Sequence, residues 1–526
     1  MTKANKMFKT SLLATLFYSS NLIAAAYFPV NIKNQTNIAS DQNLYVLVKA
    51  SLSGKDCIMS FDDNGKGQCE IISPDTPLNS YSYPLSKLTA NEGKVTLYLP
   101  QVDSGRIYFS LNYPLDLHID KKTNRIVDPD GFKPRDNNYY TLYDKVEFTF
   151  NKDGTWINPT AVDFFSIPIT IEQKGAVSEL NKAGLSKPRA DILQQVEQQF
   201  TQYDMTTNHE WNHLFLSYDD TILRLISPGK AMIKGVPNTQ PFDPDYLNNE
   251  SRYGFSYIDN LWEYYKTHTL QIDCSEIAPF MKLDDYLFTG RVENDQFIFS
   301  NQSKTSTVAI AKPSLSRAFF AGAGDSFDAE NNTPKAIIVR QLTSAFEVGF
   351  LPAPDKTLLN QEYFKTHKNH YYQNNDLWPS VDQGPWYDLY SKALHSFNEA
   401  IYTFAYDDAL AQDGTLHDSN GNNPSPVTIS LGDMSGTRII DPYSDQNTYT
   451  VTPVIGDGSI VMYKGHQLQS NQAEQDVTIP MHVTVNGTEA DIYISPQMVR
   501  PFFEAADGIV INKTSEKAAT IIFPGK

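Results

Sequence analysis

Residues 143–169 read YDKVEFTFNKDGTWINPTAVDFFSIPI. Period-two alternation over the first nine predicts a strand that sends Val146, Phe148 and Phe150 to one face and Lys145, Glu147, Thr149 and Asn151 to the other. Asp153-Gly154 is a turn signal within the connection from Asn151 to Thr160, and the apolar run beyond it predicts a second strand carrying Asp163 among Val162, Phe164, Phe165 and Ile167. Glu147 and Asp163 stand sixteen residues apart with Thr155 midway, so a simple hairpin makes them cross-strand neighbours on one face. An acid inside so apolar a run needs a reason. Glycosidic cleavage supplies one, because it needs two carboxyl groups across a cleft, one protonating the leaving oxygen while the other assists attack. A separation of about 5 to 5.5 Å gives retention and about 6.5 to 9.5 Å gives inversion. Directly opposed strand residues have Cβ atoms about 4.5 to 5.5 Å apart; a bulge or wider loop opens that gap, so spacing leaves the stereochemistry undecided. Trp156 at the turn offers a ring face to sugar C–H groups. A solvated hairpin whose acids satisfy nearby lysines or backbone groups accounts for the same pattern, and the residues alone leave both readings open.

Around this segment, residues 27–185 are strand-rich: NLYVLVKASL, KVTLYLP, RIYFSL and KVEFTF alternate or run apolar between Gly, Pro, Asn and Asp clusters. From 186 to 412 the period changes. ADILQQVEQQFTQY places Ile192, Val196 and Phe200 on one helical face, and IDNLWEYYKTH, KAIIVRQLTSAFEV and DLYSKALHSFNEAIYTF predict further helices among short strands such as TILRLIS and QFIFS. AQDGTLHDSNGNNPSP, 411–426, reads as a surface loop, and residues 436–526 return to strand patterns as a β-rich accessory unit. The expected class is therefore mainly β with a mixed α/β region.

Three lysines, Lys3, Lys6 and Lys9, precede an apolar run from Leu12 to Ile23 that ends in Ala24-Ala25-Ala26, the pattern of a secretory signal peptide occupying residues 1–26. The run is too short and too polar at Tyr18-Ser19-Ser20-Asn21 to span a bilayer, and no later segment does better. The 526 residues carry 61 acids against 43 bases, a net charge of -18, which argues against nucleic acid or anionic lipid as a partner and favours a neutral or cationic ligand. Export to an oxidising compartment permits a bridge between Cys57 and Cys69 across the turn-rich FDDNGKGQ, leaving Cys274 as the odd thiol, with three unpaired cysteines as the alternative.

The segment DKVEFTFNKDGTWINPTAVDFFSIPI resembles the catalytic segment of glycoside hydrolase family 64, secreted endo-β-1,3-glucanases related in fold to thaumatin-like proteins. FPVNIKNQT, RIYFSLNYPL followed by VDPDG, ILRLISPG, IDNLWEYY, FTGRVENDQFIFS, AKPS, LTSAFEVGFL and TFAYDDA follow in the family's order, so the likeness runs from about residue 28 to 433. The resemblance implies a thaumatin-like β-barrel or sandwich and a mixed α/β domain walling a wide groove for a β-1,3-glucan strand, with residues 413–435, through VTISLGD, returning to the β domain. It implies an inverting, secreted monomer with Glu147 as general acid, Asp163 as general base, sugar contacts from Thr149, Asn151, Trp156 and Thr160, and neither metal nor cofactor. Ala405 in place of a usual proline, a missing Cys after AKPS, and Pro385-Trp386-Tyr387 in place of Asn-His-Tyr depart from the family pattern and put groove detail in question.

Two other classes compete. A non-catalytic glucan-binding protein would keep the same groove. A zinc peptidase would use His209-Glu210-Trp211-Asn212-His213, which satisfies H-E-x-x-H, although the motif falls between a helix end and a strand. Asp128, Asp130 and Asp136 beside Pro and Gly read as turn residues rather than calcium ligands or groove lining; Asp219-Asp220 and Asp407-Asp408 read as loop or cap residues. Asn34 and Asn486 lie in glycosylation sequons.

Overall fold

The computed structural model describes residues 26–440 apart from 89, 92–93, 134–135, 179, 219, 234–240, 278–284, 374–375 and 378–383, and beyond 440 five strand segments. The leader expected at the N-terminus, Asp219 and the Asn486 sequon lie outside the described residues. Two large sheets build the β region. The first runs, edge to edge, through Leu416–Asp418, Gly154–Pro159, Tyr143–Asn151, Val102–Leu111, Leu44–Leu52, Lys55–Phe61 and Gly67–Ile71, with Tyr83–Pro84 added beside Leu44–Leu52. The second runs through Lys182–Gly184, Ile169–Gln173, Val427–Leu431, Phe28–Asn34, Lys94–Leu99 and Ala90–Asn91. Alternation decides which faces meet: Val46, Val48, Ile107, Val146, Phe150 and Ile157 from the first sheet and Phe28, Val30, Ile32, Leu97, Ile171 and Ile429 from the second are all buried. The Phe28 and Phe150 rings touch across the interface with centroids 5.9 Å apart.

The hairpin closes earlier than simple symmetry suggests. Asn151 pairs with Gly154, leaving Lys152 and Asp153 as a two-residue turn, and the Asp153 N–H donates to Asn151 Oδ1 at 2.8 Å. Gly154 has φ 141°, and a Cβ there would come within 2.2 Å of the Asp418 carbonyl oxygen, so only glycine fits. The expected second strand also breaks in two. Phe164–Phe165 joins a small sheet with Thr221–Ile226, while Ile169–Gln173 pairs with Val427–Leu431. The break has a local cause: the buried Asp144 carboxylate accepts the Ser166 and Ile167 N–H groups at 2.8 and 3.0 Å, turning the chain before Pro168. Within 411–426, read as loop, Leu416–Asp418 is instead an edge strand beside Gly154–Pro159.

The mixed region follows its sequence periodicity more closely. Arg189–Tyr203 is a helix with Ile192, Val196 and Phe200 fully buried, and Tyr257–Tyr265 and Pro334–Glu347 are the next two predicted helices. DLYSKALHSFNEAIYTF forms helix only over Leu389–His395, because Asn398 takes φ 56° and the chain turns to bridge Tyr402 with Thr160. Beyond 440, the strands Thr448–Pro453, Ile479–Val485, Thr488–Ile494, Asn512–Ser515 and Ala518–Ile522 form a five-stranded antiparallel sheet. Cys57 and Cys69, on neighbouring strands, are disulfide-bonded, and Cys274 is buried and free.

One packing feature of the mixed region has a measurable cost. Glu347 is fully buried at the end of its helix, and neither carboxyl oxygen accepts a hydrogen bond. Asp388, nearby, accepts from the Tyr390 and Ser391 N–H groups and the Ser391 hydroxyl. Burial, then Asp388 and Asp407, push the Glu347 carboxyl well above its ordinary value of 4.5, so Glu347 carries the proton that the pair shares. A raised carboxyl contributes stability that is complete below the unfolded-state value and is lost as pH climbs toward the folded one. Glu347→Gln, which cannot ionise, is therefore expected to match wild type near pH 4 and to gain several degrees in relative unfolding midpoint by pH 8. Thermal melts across that range check it; a pH-independent difference would contradict the assignment.

Candidate active site

Strand register brings the polar face together. Lys49 lies opposite Arg106, Arg106 opposite Glu147, and Glu147 opposite Asn158, so four adjacent strands contribute one row of side chains. Arg106 donates through Nε to Glu147 Oε1 at 2.9 Å and through Nη1 to Asp128. Asp128 also binds Lys49 and accepts from the Tyr108 hydroxyl at 2.7 Å. Burial pushes the Asp128 carboxyl up, but Arg106 and Lys49 outweigh it and the group lies below its usual range. The row lines a groove of about 560 Å³ whose walls include Thr149, Trp156, Asn158, Arg125 and Tyr402. Glu147 keeps 31% of its side chain exposed there.

Asp163 is not across the hairpin from Glu147, because the early turn places Asn158 there. It stands where the chain leaves the first sheet, its carbonyl accepting the Ser227 N–H at 3.0 Å. Each carboxylate oxygen is taken by a lysine: Oδ2 by Lys145, two residues before Glu147 on the same strand face, and Oδ1 by Lys230 at 3.0 Å. Lys230 comes from the short helix Pro228–Ala231 of the mixed region. Burial acts to raise the Asp163 carboxyl, yet the two ammonium groups hold it well below the usual carboxylate range. Lys145 is therefore the link between the two acids: it binds Asp163 and shares a strand face with Glu147.

The four expected sugar contacts divide. Thr149 and Trp156, directly opposite one another, line the groove. Asn151 is spent on closing the turn, and Thr160 is buried, its hydroxyl accepting the Val162 N–H. Sequence reading missed Lys49, Arg106, Lys145 as an ion-pair partner, Asn158, Lys230 and Tyr402. It also placed Asp128 in a turn, whereas Asp128 lines the groove; Asp136 does close a turn, accepting the Asp130 and Asn138 N–H groups. Counting along the strands from Glu147 would have found Arg106, but no local signal marks Lys230.

The H-E-x-x-H residues serve packing. Glu210–Leu214 is a 3-10 turn preceded by His209 at φ 50°, so the α-helical face that the zinc reading needs is missing. Glu210 is fully buried, paired with Arg252 at 2.7 Å and accepting the Asp243 N–H. Among the described residues no group of three His, Cys, Asp or Glu side chains is placed to hold a metal ion.

The β-1,3-glucanase family model of glycoside hydrolase family 64 matches residues 26–431. The chain belongs to this family. Among curated relatives, a glucan endo-1,3-beta-glucosidase of Arthrobacter sp. (strain YCWD3) is 27% identical over 369 residues, 69% of this chain and 56% of that one. The enzyme of the same name from Cellulosimicrobium cellulans is 26% identical over 347 residues, 65% and 54% of the two chains. The match thus spans little more than half the length of either relative. The family fold is also seen in a laminaripentaose-producing β-1,3-glucanase solved in complex with laminaritetraose, with TM-score 0.58 and 23% identity over 78% of this chain and 99% of that one. A β-1,3-glucanase domain from Clostridium beijerinckii gives TM-score 0.57 at 19% identity over 77% and 98%.

Proposed function

We propose that this family 64 member is a secreted endo-β-1,3-glucanase that hydrolyses laminarin-like glucan with inversion, Glu147 acting as general acid and Asp163 as general base. The observation that carries the reading is Glu147 on the groove wall two residues along the strand from the Lys145 that binds Asp163. A carboxyl at the groove wall can pass its proton to a glycosidic oxygen lying in the groove. A carboxylate kept ionised by two lysines stays a proton acceptor into acid solution. Inversion requires the two carboxyl groups about 6.5 to 9.5 Å apart, with room between them for the water that Asp163 would activate.

Trp156 and Thr149 supply the sugar-facing surface, and Asn158 and Tyr402 extend it. In this reading residues 27–185 with 413–435 form the thaumatin-like domain, 186–412 the mixed domain that closes the groove, and 436–526 an accessory domain. The leader is removed near Ala26 and the monomer acts outside the cell or in the periplasm; among the described residues no helix is long and apolar enough to cross a membrane.

Laminarin digestion followed by proton NMR tests linkage and mechanism together. The initial product is expected as the α-anomer, with new reducing ends throughout the chain-length range. An initial β-anomer would reject inversion, and binding without reducing-sugar release would leave a glucan-binding protein.

A further inference from the structure

Trp156 lines the groove and has one ring face stacked on a neighbour. That neighbour is His417, its register partner on the edge strand Leu416–Asp418, whose ring lies 4.4 Å from the indole at an interplanar angle of 15°. Thr149 occupies the register position on the opposite side of Trp156. Because His417 is a lateral neighbour within the sheet, parallel stacking stands the indole upright on the sheet surface and turns its second face toward Thr149 and the groove. His417 is itself fixed. Its Nδ1 lies 2.9 Å from the Thr155 carbonyl oxygen, so Nδ1 carries the hydrogen and donates. Its backbone N–H donates to Ser178 Oγ at 3.2 Å, and its carbonyl accepts the Val177 N–H at 2.8 Å.

Resting on the glucanase reading above, we propose that His417 is a positioning residue that presses Trp156 upright and so prepares its free face as a platform for one glucosyl ring of the substrate. A side chain ordered before binding does not lose its rotamer freedom on binding, so the sugar is seated at a lower entropic cost. His417 thus acts on affinity rather than on proton transfer, which takes place at Glu147 and Asp163 and not at the indole.

His417→Ala is expected to raise KM for laminarihexaose about tenfold with kcat within about twofold of wild type. His417→Phe keeps a flat ring against the indole while losing the Nδ1 bond, and is expected to restore KM to within about threefold. Wild-type KM in His417→Ala, or a fall in kcat at constant KM in both variants, would overturn the proposal. Should the alanine variant fold poorly, the phenylalanine variant decides alone: a KM raised as far as in a Trp156→Ala control means that stacking is not what His417 supplies. Titration of laminarihexaose by tryptophan fluorescence repeats the comparison without turnover. An enzyme that binds but does not cleave would then fail the glucanase reading while the His417 series still tests the platform.

Discussion

Glu147→Gln is expected to lower kcat on laminarin by about 10²- to 10⁴-fold, the usual worth of a general acid, with KM changed by no more than about threefold. The substitution is nearly isosteric, and the Gln carbonyl oxygen can still accept from Arg106 Nε, so the row Lys49–Asp128–Arg106 keeps its hydrogen bonds. With those bonds kept, the unfolding midpoint is expected to stay within about 2 °C of wild type. What the amide cannot do is surrender a proton to a departing sugar oxygen. An aryl laminaribioside with an acidic phenol as leaving group needs no such help, and on it the variant should recover most of its lost rate. Equal losses on both substrates would remove Glu147 from the acid role.

Asp163→Asn is expected to lose kcat on a similar scale and, unlike Glu147→Gln, to lose stability as well. Its two lysine partners differ in what they can do when the charge goes. Lys230 is 33% exposed and can turn to water, but Lys145 is 5% exposed, with the Phe164 ring 5.4 Å away and the buried Asp144 as the remaining carboxyl group acting on it. Breaking a buried ion pair by removing one partner costs about 3 to 5 kcal/mol, enough to separate the two variants in a urea titration. The pH dependence follows from the same pair. Burial opposes ionisation of Asp163, and Lys145 and Lys230 overcome it, so the carboxyl sits well below the usual range. A depressed carboxyl contributes stability that is present above its unfolded-state value and vanishes only as pH falls through the folded one. The acid limb of kcat/KM is therefore expected to lie low in wild type and to move upward in Lys230→Met, which removes one of the two charges. An acid limb that stays put in Lys230→Met would mean that another group sets it.

How far the sequence carried this result depended on the range over which each determinant acts. The faces of Tyr143–Asn151 were legible because alternation is local, and the burial of Val146 and Phe150 against partial exposure of Glu147 and Thr149 follows it. The helix Arg189–Tyr203 was legible for the same reason. The true partner of Glu147 was not, because opposing it to Asp163 assumes a symmetric connection. Asp153-Gly154 already pointed to the actual turn, and pairing outward from Asn151 and Gly154 leads to Asn158. What fixes Asp163 is a set of long-range contacts: Asp144 holding the backbone at Ser166 and Ile167, and Lys145 and Lys230 closing on Asp163. Asp128 reads as a turn residue because its Pro-Gly surroundings satisfy a turn rule, while the ion pairs that place it on the groove come from strands 79 and 22 residues earlier in the chain.

The hydrogen bond from Ser227 to the Asp163 carbonyl, together with Lys230, ties one member of the acid pair to the mixed region, whereas Glu147 rides on the first sheet. In the proposed mechanism the separation of the two carboxyl groups is consequently a joint dimension of two parts of the fold. Transplanting the hairpin alone onto a foreign scaffold would carry over the proton donor and leave its counterpart unanchored. Swapping mixed regions between relatives, by contrast, is a route to altering stereochemical fidelity without touching either carboxyl group.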